Sequence, residues 1–134
     1  RGCQNPESWN PSAGTPLTPE KIEKMICEIN ANPLLDGITF SGGDPLHSAN
    51  RADVKSLMAE IKVKYPDKTI WLYTGDSWEN IMNYPLMKYV DVLVDGEFRV
   101  DKKDVTVDGR FEPDLYSPYL EFRGSSNQRI IRVR

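Results

Sequence analysis

A glycine pair followed by an acidic residue, in the segment Ser41-Gly42-Gly43-Asp44-Pro45, is where this sequence first suggests chemistry. Glycines adopt positive φ and allow a ligand to approach the backbone closely. Asp44 adds a negative charge at the same point, and no Gly-Lys-Ser/Thr of a phosphate loop follows. The segment therefore suits a cationic ammonium group better than a phosphate. The alternative is a tight turn in which Asp44 caps the local backbone.

The other reactive side chains are isolated. Cys3 could ligate a metal only with partners, and a lone cysteine is more often a small buried side chain. Cys27 has no assignable role, and two cysteines with one histidine cannot form a closed zinc site without carboxylates. The only histidine, His47, could act as a general acid or base, although an exposed histidine near a helix start is the more common arrangement.

A polar run near the C-terminus, residues 123–128 (Arg-Gly-Ser-Ser-Asn-Gln), is dense in hydrogen-bond donors. It is either a polar turn between two strands or a loop that holds a polar ligand or a peptide, with Arg123 as an anion anchor. The sequence contains no Gly-x-Ser-x-Gly, His-Glu-x-x-His or Cys-x-x-Cys motif. The common hydrolases, zinc proteases and zinc ribbons therefore have no support.

The elements that must position these residues alternate between helix and strand. Apolar residues at helical spacing predict two helices. The first starts at Thr18, which caps it, with Pro19 in its first turn, and ends within residues 30–33; the second covers about 49–65. Branched and aromatic residues predict strands at 37–40, 69–74 and 89–94. This alternation is typical of βαβ units and a mainly parallel sheet, so we expect an α/β fold.

In parallel sheets, ligands bind at the carboxyl ends of the strands. Three polar or glycine-rich clusters fall at predicted strand ends: 41–45, 74–76 and 95–96. We therefore expect Thr74, Gly75 and Asp95 to share one rim with Asp44. Two further segments are less informative. Residues 99–118 are expected to form an exposed excursion with a hairpin around Asp108-Gly109, and residues 129–134 a final edge strand with solvent-facing arginines.

The composition is that of a soluble globular domain. The 134 residues carry a net charge of −3, with 39% hydrophobic and 28% charged residues, which favours a single domain over residues 1–134. No apolar run approaches the ~20 residues of a membrane span, and the acidic balance argues against nucleic-acid binding. Because the sequence shows no signal peptide, we expect a cytoplasmic protein.

Taken together, these segments resemble a known family. Gly2-Cys3, residues 5–9, 41–46, 94–96 and 123–128 follow, in this order, the pattern of the activating proteins of anaerobic ribonucleoside-triphosphate reductases. Those proteins are small radical S-adenosylmethionine enzymes. The glycine-glycine-acid loop is shared with other radical enzymes, whereas the run 123–128 is the more specific marker.

The resemblance implies a [4Fe–4S] cluster held by a Cys-x3-Cys-x2-Cys motif, in which Cys3 is the third cysteine. It also implies that S-adenosylmethionine is bound, its ammonium held by Ser41, Gly42, Gly43 and Asp44. Residues Arg123, Ser125, Ser126 and Asn127 are expected to contact partner or substrate. The family cleaves S-adenosylmethionine reductively and generates a glycyl radical on the large reductase subunit, with an electron from a donor such as a flavodoxin or ferredoxin.

The family fold is an incomplete (βα) barrel. The first strand and the other two cluster cysteines are expected upstream of Arg1, in which case the 134-residue chain alone is inactive. Gln4 stands where many relatives carry an aromatic residue, and residues 99–118 are longer than the family needs. Two alternatives stay open: an activating enzyme for another client, such as pyruvate formate-lyase, or a non-catalytic domain that binds an adenosyl ligand or a partner.

Overall fold

A four-stranded sheet forms the centre of the computed structural model, which describes residues 6–10, 12–102, 106–107, 110–111 and 124–134. Its strands are β1 (Gly37–Phe40), β2 (Thr69–Tyr73), β3 (Val92–Asp95) and β6 (Arg129–Arg132), in the spatial order β1-β2-β3-β6. The first three run parallel, whereas β6 pairs antiparallel with β3. The predicted α/β class with a mainly parallel sheet is confirmed.

Helices alternate with the parallel strands along the chain, as the apolar spacing predicts. In the described chain they are α1 (Pro19–Ala31), α2 (Arg51–Lys64) and the short α3 (Trp78–Ile81). Thr18 caps α1, since its hydroxyl accepts a hydrogen bond from the Lys21 N–H at 3.4 Å, and Pro19 occupies the first helical position. Because α2 lies between β1 and β2, and α3 between β2 and β3, the carboxyl ends of all three strands lie at one edge.

The third strand begins later than the sequence predicts. Residues Met87–Tyr89 form a 3₁₀ turn, and the N–H of Val90 bonds to the carbonyl of Met87 at 3.1 Å, so ladder pairing starts only at Val92. The strand also continues to Asp95, which pairs with Arg129 of β6. The strand propensity of residues 89–94 therefore predicts a strand that is too long at its N-terminal end, because it does not indicate the 3₁₀ turn.

The core lies between the helices and one face of the sheet. Alternation along β2 and β3 puts Ile70, Leu72 and Leu93 on this face, where all three are 0% exposed. They pack with buried apolar side chains of the helices: Ile26, Leu57, Met58, Ile61 and Ile81. Trp71 and Tyr73 point to the opposite face, where they are half-buried.

Two short strands form a separate antiparallel pair. β4 (Thr106–Val107) and β5 (Arg110–Phe111) lie on either side of Asp108-Gly109, in agreement with the hairpin predicted there. The rest of the excursion between Lys102 and residue 118 lies outside the described residues. β6 confirms the predicted final strand of the sheet. Within the part of the chain that the structure describes, no helix is long and apolar enough to cross a bilayer.

Candidate functional site

A groove of about 480 Å³ opens at the carboxyl ends of β1, β2 and β3. Segments from all three strand ends meet in it, as the strand order predicts. Its described lining residues are Trp9, Ser41, Gly42, Gly43, Asp44, Tyr73, Thr74, Gly75, Gly96, Glu97, Phe98, Gly124 and Gln128. Six of the predicted site residues are therefore brought together, and Asp95 is outside this set.

Gly42 and Gly43 are each required to be glycine, for different structural reasons. Gly42 has φ +103°, a conformation that other residues adopt only with strain. Gly43 packs against the backbone of Ser8, in the 3₁₀ turn Pro6–Trp9, so closely that any Cβ would clash with the Ser8 carbonyl oxygen. The loop after β1 and the N-terminal segment are therefore in direct contact at the groove.

The Asp44 carboxylate ties the loop after β1 to the end of β2. Its Oδ2 accepts hydrogen bonds from the Thr74 hydroxyl at 2.8 Å and from the Gly75 N–H at 2.9 Å. Its Oδ1 accepts from the Leu46 N–H at 2.9 Å, which is the local cap expected for a tight turn. Thr74 is buried, and its hydroxyl also accepts from the Asp76 N–H at 3.1 Å. The carboxylate is thus fixed in place by neutral donors.

Asp95 has a different environment. It is 1% exposed, and its carboxylate forms an ion pair with Arg129 of β6 while accepting from the Trp78 N–H at 2.7 Å. Arg129 also forms a bidentate pair with Glu79, with both N–O distances 2.9 Å. The hydrogen bonds from Arg129 lower the pKa of Glu79 to about 2. Asp95 therefore joins β3 to β6 and α3, on the helix-covered face of the sheet.

The C-terminal polar run packs against the segment that follows β3. The side-chain hydroxyl of the fully buried Ser125 accepts from the Arg99 N–H at 3.1 Å. Asn127 donates from Nδ2 to the Glu97 carbonyl at 2.8 Å. Ser126 is exposed, while Arg123 lies outside the described residues. Of the residues predicted to contact a partner, Ser125 and Asn127 are thus engaged within the chain.

Aromatic side chains supply the apolar parts of the groove. Trp9 is 58% exposed, while Tyr73 and Phe98 are half-buried. Burial raises the pKa of the Tyr73 hydroxyl. The sequence reasoning missed Tyr73, Glu97 and Phe98 as lining residues. Tyr73 could have been found from its place at the end of β2, whereas the other two depend on the pairing of β3 with β6.

The remaining candidates are not in the groove. His47 is exposed just before α2, and its Nδ1 accepts from the Ala49 N–H at 3.3 Å, as expected for a histidine near a helix start. Cys27 is an exposed free thiol on α1, and Cys3 lies outside the described residues. Among the residues that the structure does describe, no group of three or more His, Cys, Asp or Glu side chains could hold a metal ion.

Comparison with known proteins shows the family of this chain. A family model described as a 4Fe-4S single cluster domain matches residues 1–104 and 99–131. The anaerobic ribonucleoside-triphosphate reductase-activating protein of Salmonella typhimurium is 37% identical over 134 residues, covering 99% of this chain and 80% of that protein. The proteins of the same name from Vibrio cholerae (37%, 98% of this chain, 79% of that protein) and Enterobacteria phage T4 (33%, 96% and 73%) are also similar. No solved structure matches. The chain belongs to the family of anaerobic ribonucleoside-triphosphate reductase-activating proteins, with a 4Fe-4S single cluster domain.

Proposed function

We propose that this chain is a radical S-adenosylmethionine enzyme that generates a glycyl radical on the large subunit of an anaerobic (class III) ribonucleoside-triphosphate reductase. The chemistry that a bound [4Fe–4S] cluster supplies is one-electron reductive cleavage of the sulfonium, to methionine and a 5′-deoxyadenosyl radical that takes a hydrogen atom from glycine. The parallel strands with helices on one face are compatible with an incomplete (βα) barrel, which is part of this proposal. Family membership supports the reductase as the client.

The observation that carries the proposal is the uncompensated charge of Asp44 in the groove. Its hydrogen-bond donors are the Thr74 hydroxyl and the N–H groups of Gly75 and Leu46, all of them neutral. Among the described residues, none forms an ion pair with Asp44, whereas Asp95 is neutralised by Arg129. A carboxylate held rigidly by neutral donors is a ready partner for an ammonium group. We therefore assign the methionine ammonium of S-adenosylmethionine to Asp44.

The contact between Ser8 and Gly43 supports a cluster close to this ammonium site. Four residues separate Cys3 from Ser8 in the sequence, and five peptide units span at most about 18 Å. A cluster ligated by Cys3 is therefore tethered to the loop that carries Asp44. In this proposal the other two thiolates come from cysteines encoded upstream of Arg1, three and seven residues before Cys3.

Other groove residues have supporting roles in this proposal. Ser41, Gly42 and Gly43 form the loop around the ammonium, and Thr74 and Gly75 orient the Asp44 carboxylate. The aromatic side chains of Trp9, Tyr73 and Phe98 shield a bound nucleoside from water. Of the C-terminal run, Ser126 is exposed and is the described residue best placed to contact the reductase, with Arg123 as its neighbour in this role.

The decisive experiment measures radical formation on the client. The full-length gene product is reconstituted with iron and sulfide without oxygen, reduced by dithionite or by a flavodoxin or ferredoxin, and mixed with S-adenosylmethionine and the reductase large subunit. We expect a glycyl radical by electron paramagnetic resonance, and none when pyruvate formate-lyase replaces the reductase. The reverse result would assign a different client. A coding sequence that lacks the two upstream cysteines would contradict the enzymatic proposal itself.

A further inference from the structure

The carboxamide of Gln128 joins two segments that are distant in sequence. Its Oε1 accepts hydrogen bonds from the N–H groups of Gly124 at 2.9 Å and Ser125 at 3.1 Å. Its Nε2 donates to the carbonyl of Gly96, directly after β3, at 2.9 Å. The side chain is 8% exposed. Because the three bonds require an acceptor and a donor on one short planar group, a carboxamide meets the geometry and a carboxylate or an apolar side chain does not.

The same two segments are packed closely around this carboxamide. Gly96 has φ +98°, and a Cβ there would lie 3.7 Å from the Cα of Gln128. A Cβ on Gly124 would lie 2.8 Å from Cδ2 of Phe98, which is closer than real Cβ atoms come. The Ser126 N–H adds a hydrogen bond to the Lys102 carbonyl at 3.1 Å. Residues 124–128 therefore hold the segment after β3 through both hydrogen bonds and packing.

These two segments together form one wall of the groove. Gly96, Glu97, Phe98, Gly124 and Gln128 all line it, opposite the loop that carries Asp44 in the opening at the strand ends. A shift of this wall changes the width of the groove. A displacement of the ligand-binding groups by about 1 Å weakens ligand binding substantially. Because Ser125 is buried, it cannot contact a partner protein without disrupting this packing. Residues 124–128 therefore support the groove wall, whatever contacts their exposed atoms make.

We propose that Gln128 is a positioning residue that fixes the wall formed by Gly96, Glu97 and Phe98 and thereby sets the affinity of the groove for an adenosyl amino acid. This role rests on the proposed function, because the ligand is the one assigned there. Gln128 acts through the backbone of Gly96 and Gly124, so its effect on binding requires no direct contact with the reacting atoms.

The test compares three variants in the full-length gene product with S-adenosylhomocysteine as the titrant in calorimetry. Gln128→Met removes the hydrogen bonds to Gly96, Gly124 and Ser125 at similar volume, and Gln128→Glu keeps the acceptors but loses the donor to Gly96. Asn83→Met removes an exposed carboxamide outside the groove lining and is the matched control. We expect Gln128→Met to raise the dissociation constant about tenfold, Gln128→Glu to raise it by less, and Asn83→Met to leave it within twofold.

Hydrogen exchange on the same samples separates a local effect from general unfolding. In Gln128→Met the amides of Gly124 and Ser125 should lose protection, while those of Ile70 and Leu93 in the core strands keep theirs. If these local amides lose protection and the affinity of both Gln128 variants stays within twofold of the unaltered protein, the positioning role is overturned. If the unaltered protein itself binds no S-adenosylhomocysteine, the proposed function fails instead.

Discussion

Replacing Asp44 by alanine should weaken S-adenosylmethionine binding without removing the fold. The side chain supplies the uncompensated charge in the groove, and its oxygens are oriented by Thr74, Gly75 and Leu46. A hydrogen bond between an ammonium and a carboxylate contributes roughly 1.5–3 kcal/mol. The expected rise in the dissociation constant is therefore about 10- to 150-fold. Calorimetry on the anaerobic full-length gene product measures it directly.

A second variant separates the charge of Asp44 from its hydrogen-bonded support. Thr74→Val removes the hydroxyl donor and leaves the carboxylate with the N–H groups of Gly75 and Leu46. Since the charge stays in place, we expect S-adenosylmethionine affinity within about threefold of the unaltered protein. A threefold change is about 0.6 kcal/mol, which lies at the low end of the roughly 0.5–1.5 kcal/mol of one neutral hydrogen bond. The order of effects, Asp44→Ala well above Thr74→Val, is the signature of direct ammonium binding.

The matched control is Asp67→Ala, which removes an exposed carboxylate just before β2, at the other end of the sheet. It changes net charge by the same amount and should leave the affinity unchanged. If Asp44→Ala also binds like the unaltered protein, the loop is only a turn and the ammonium assignment is wrong. If Thr74→Val costs as much as Asp44→Ala, the carboxylate acts as a brace between strand ends and not as a ligand.

Three further predictions concern the surroundings of this site. Cys3→Ala in the full-length product should abolish cluster assembly while leaving the far-ultraviolet circular dichroism intact, and a normal iron content would refute the ligand assignment. Gly43→Ala should lower the free energy of unfolding by about 1–3 kcal/mol, because the new methyl group meets a backbone carbonyl, whereas Gly14→Ala, in open space, should be neutral in the same denaturant titration. Glu79 has its pKa lowered from 4.5 to about 2 by Arg129, so its stabilising contribution is complete above pH 4.5 and is lost as the pH falls towards 2. The melting temperature of Glu79→Gln should accordingly lie below that of the unaltered protein at pH 6, and a gap that persisted at pH 2 would contradict the ion-pair explanation.

Local signals in the sequence predict much of this fold. The Thr18-Pro19 start of α1 needs only a capping hydroxyl and a fixed φ, both of which are properties of the residues themselves. The convergence of the loops at Asp44 and Thr74 follows from the helix–strand alternation. The 3₁₀ turn before β3 escaped prediction because its residues have ordinary strand propensity. The roles of Ser125 and Gln128 escaped because they depend on contacts with residues about 26 to 32 positions away.

A position at the end of a strand does not decide whether the charge of an acidic residue is compensated, as Asp44 and Asp95 show. Asp44 lies four residues after the end of β1, Asp95 is the last residue of β3, and the sequence predicts a cofactor role for each. In the structure, Arg129, a cation 34 residues further along the chain, compensates Asp95 on the helix-covered face. Asp44 is held by neutral donors, and in our proposal its charge is the one that binds the ligand. In our proposal, the charge balance around each carboxylate is what distinguishes Asp44 from Asp95, and that balance depends on how β6 pairs with β3.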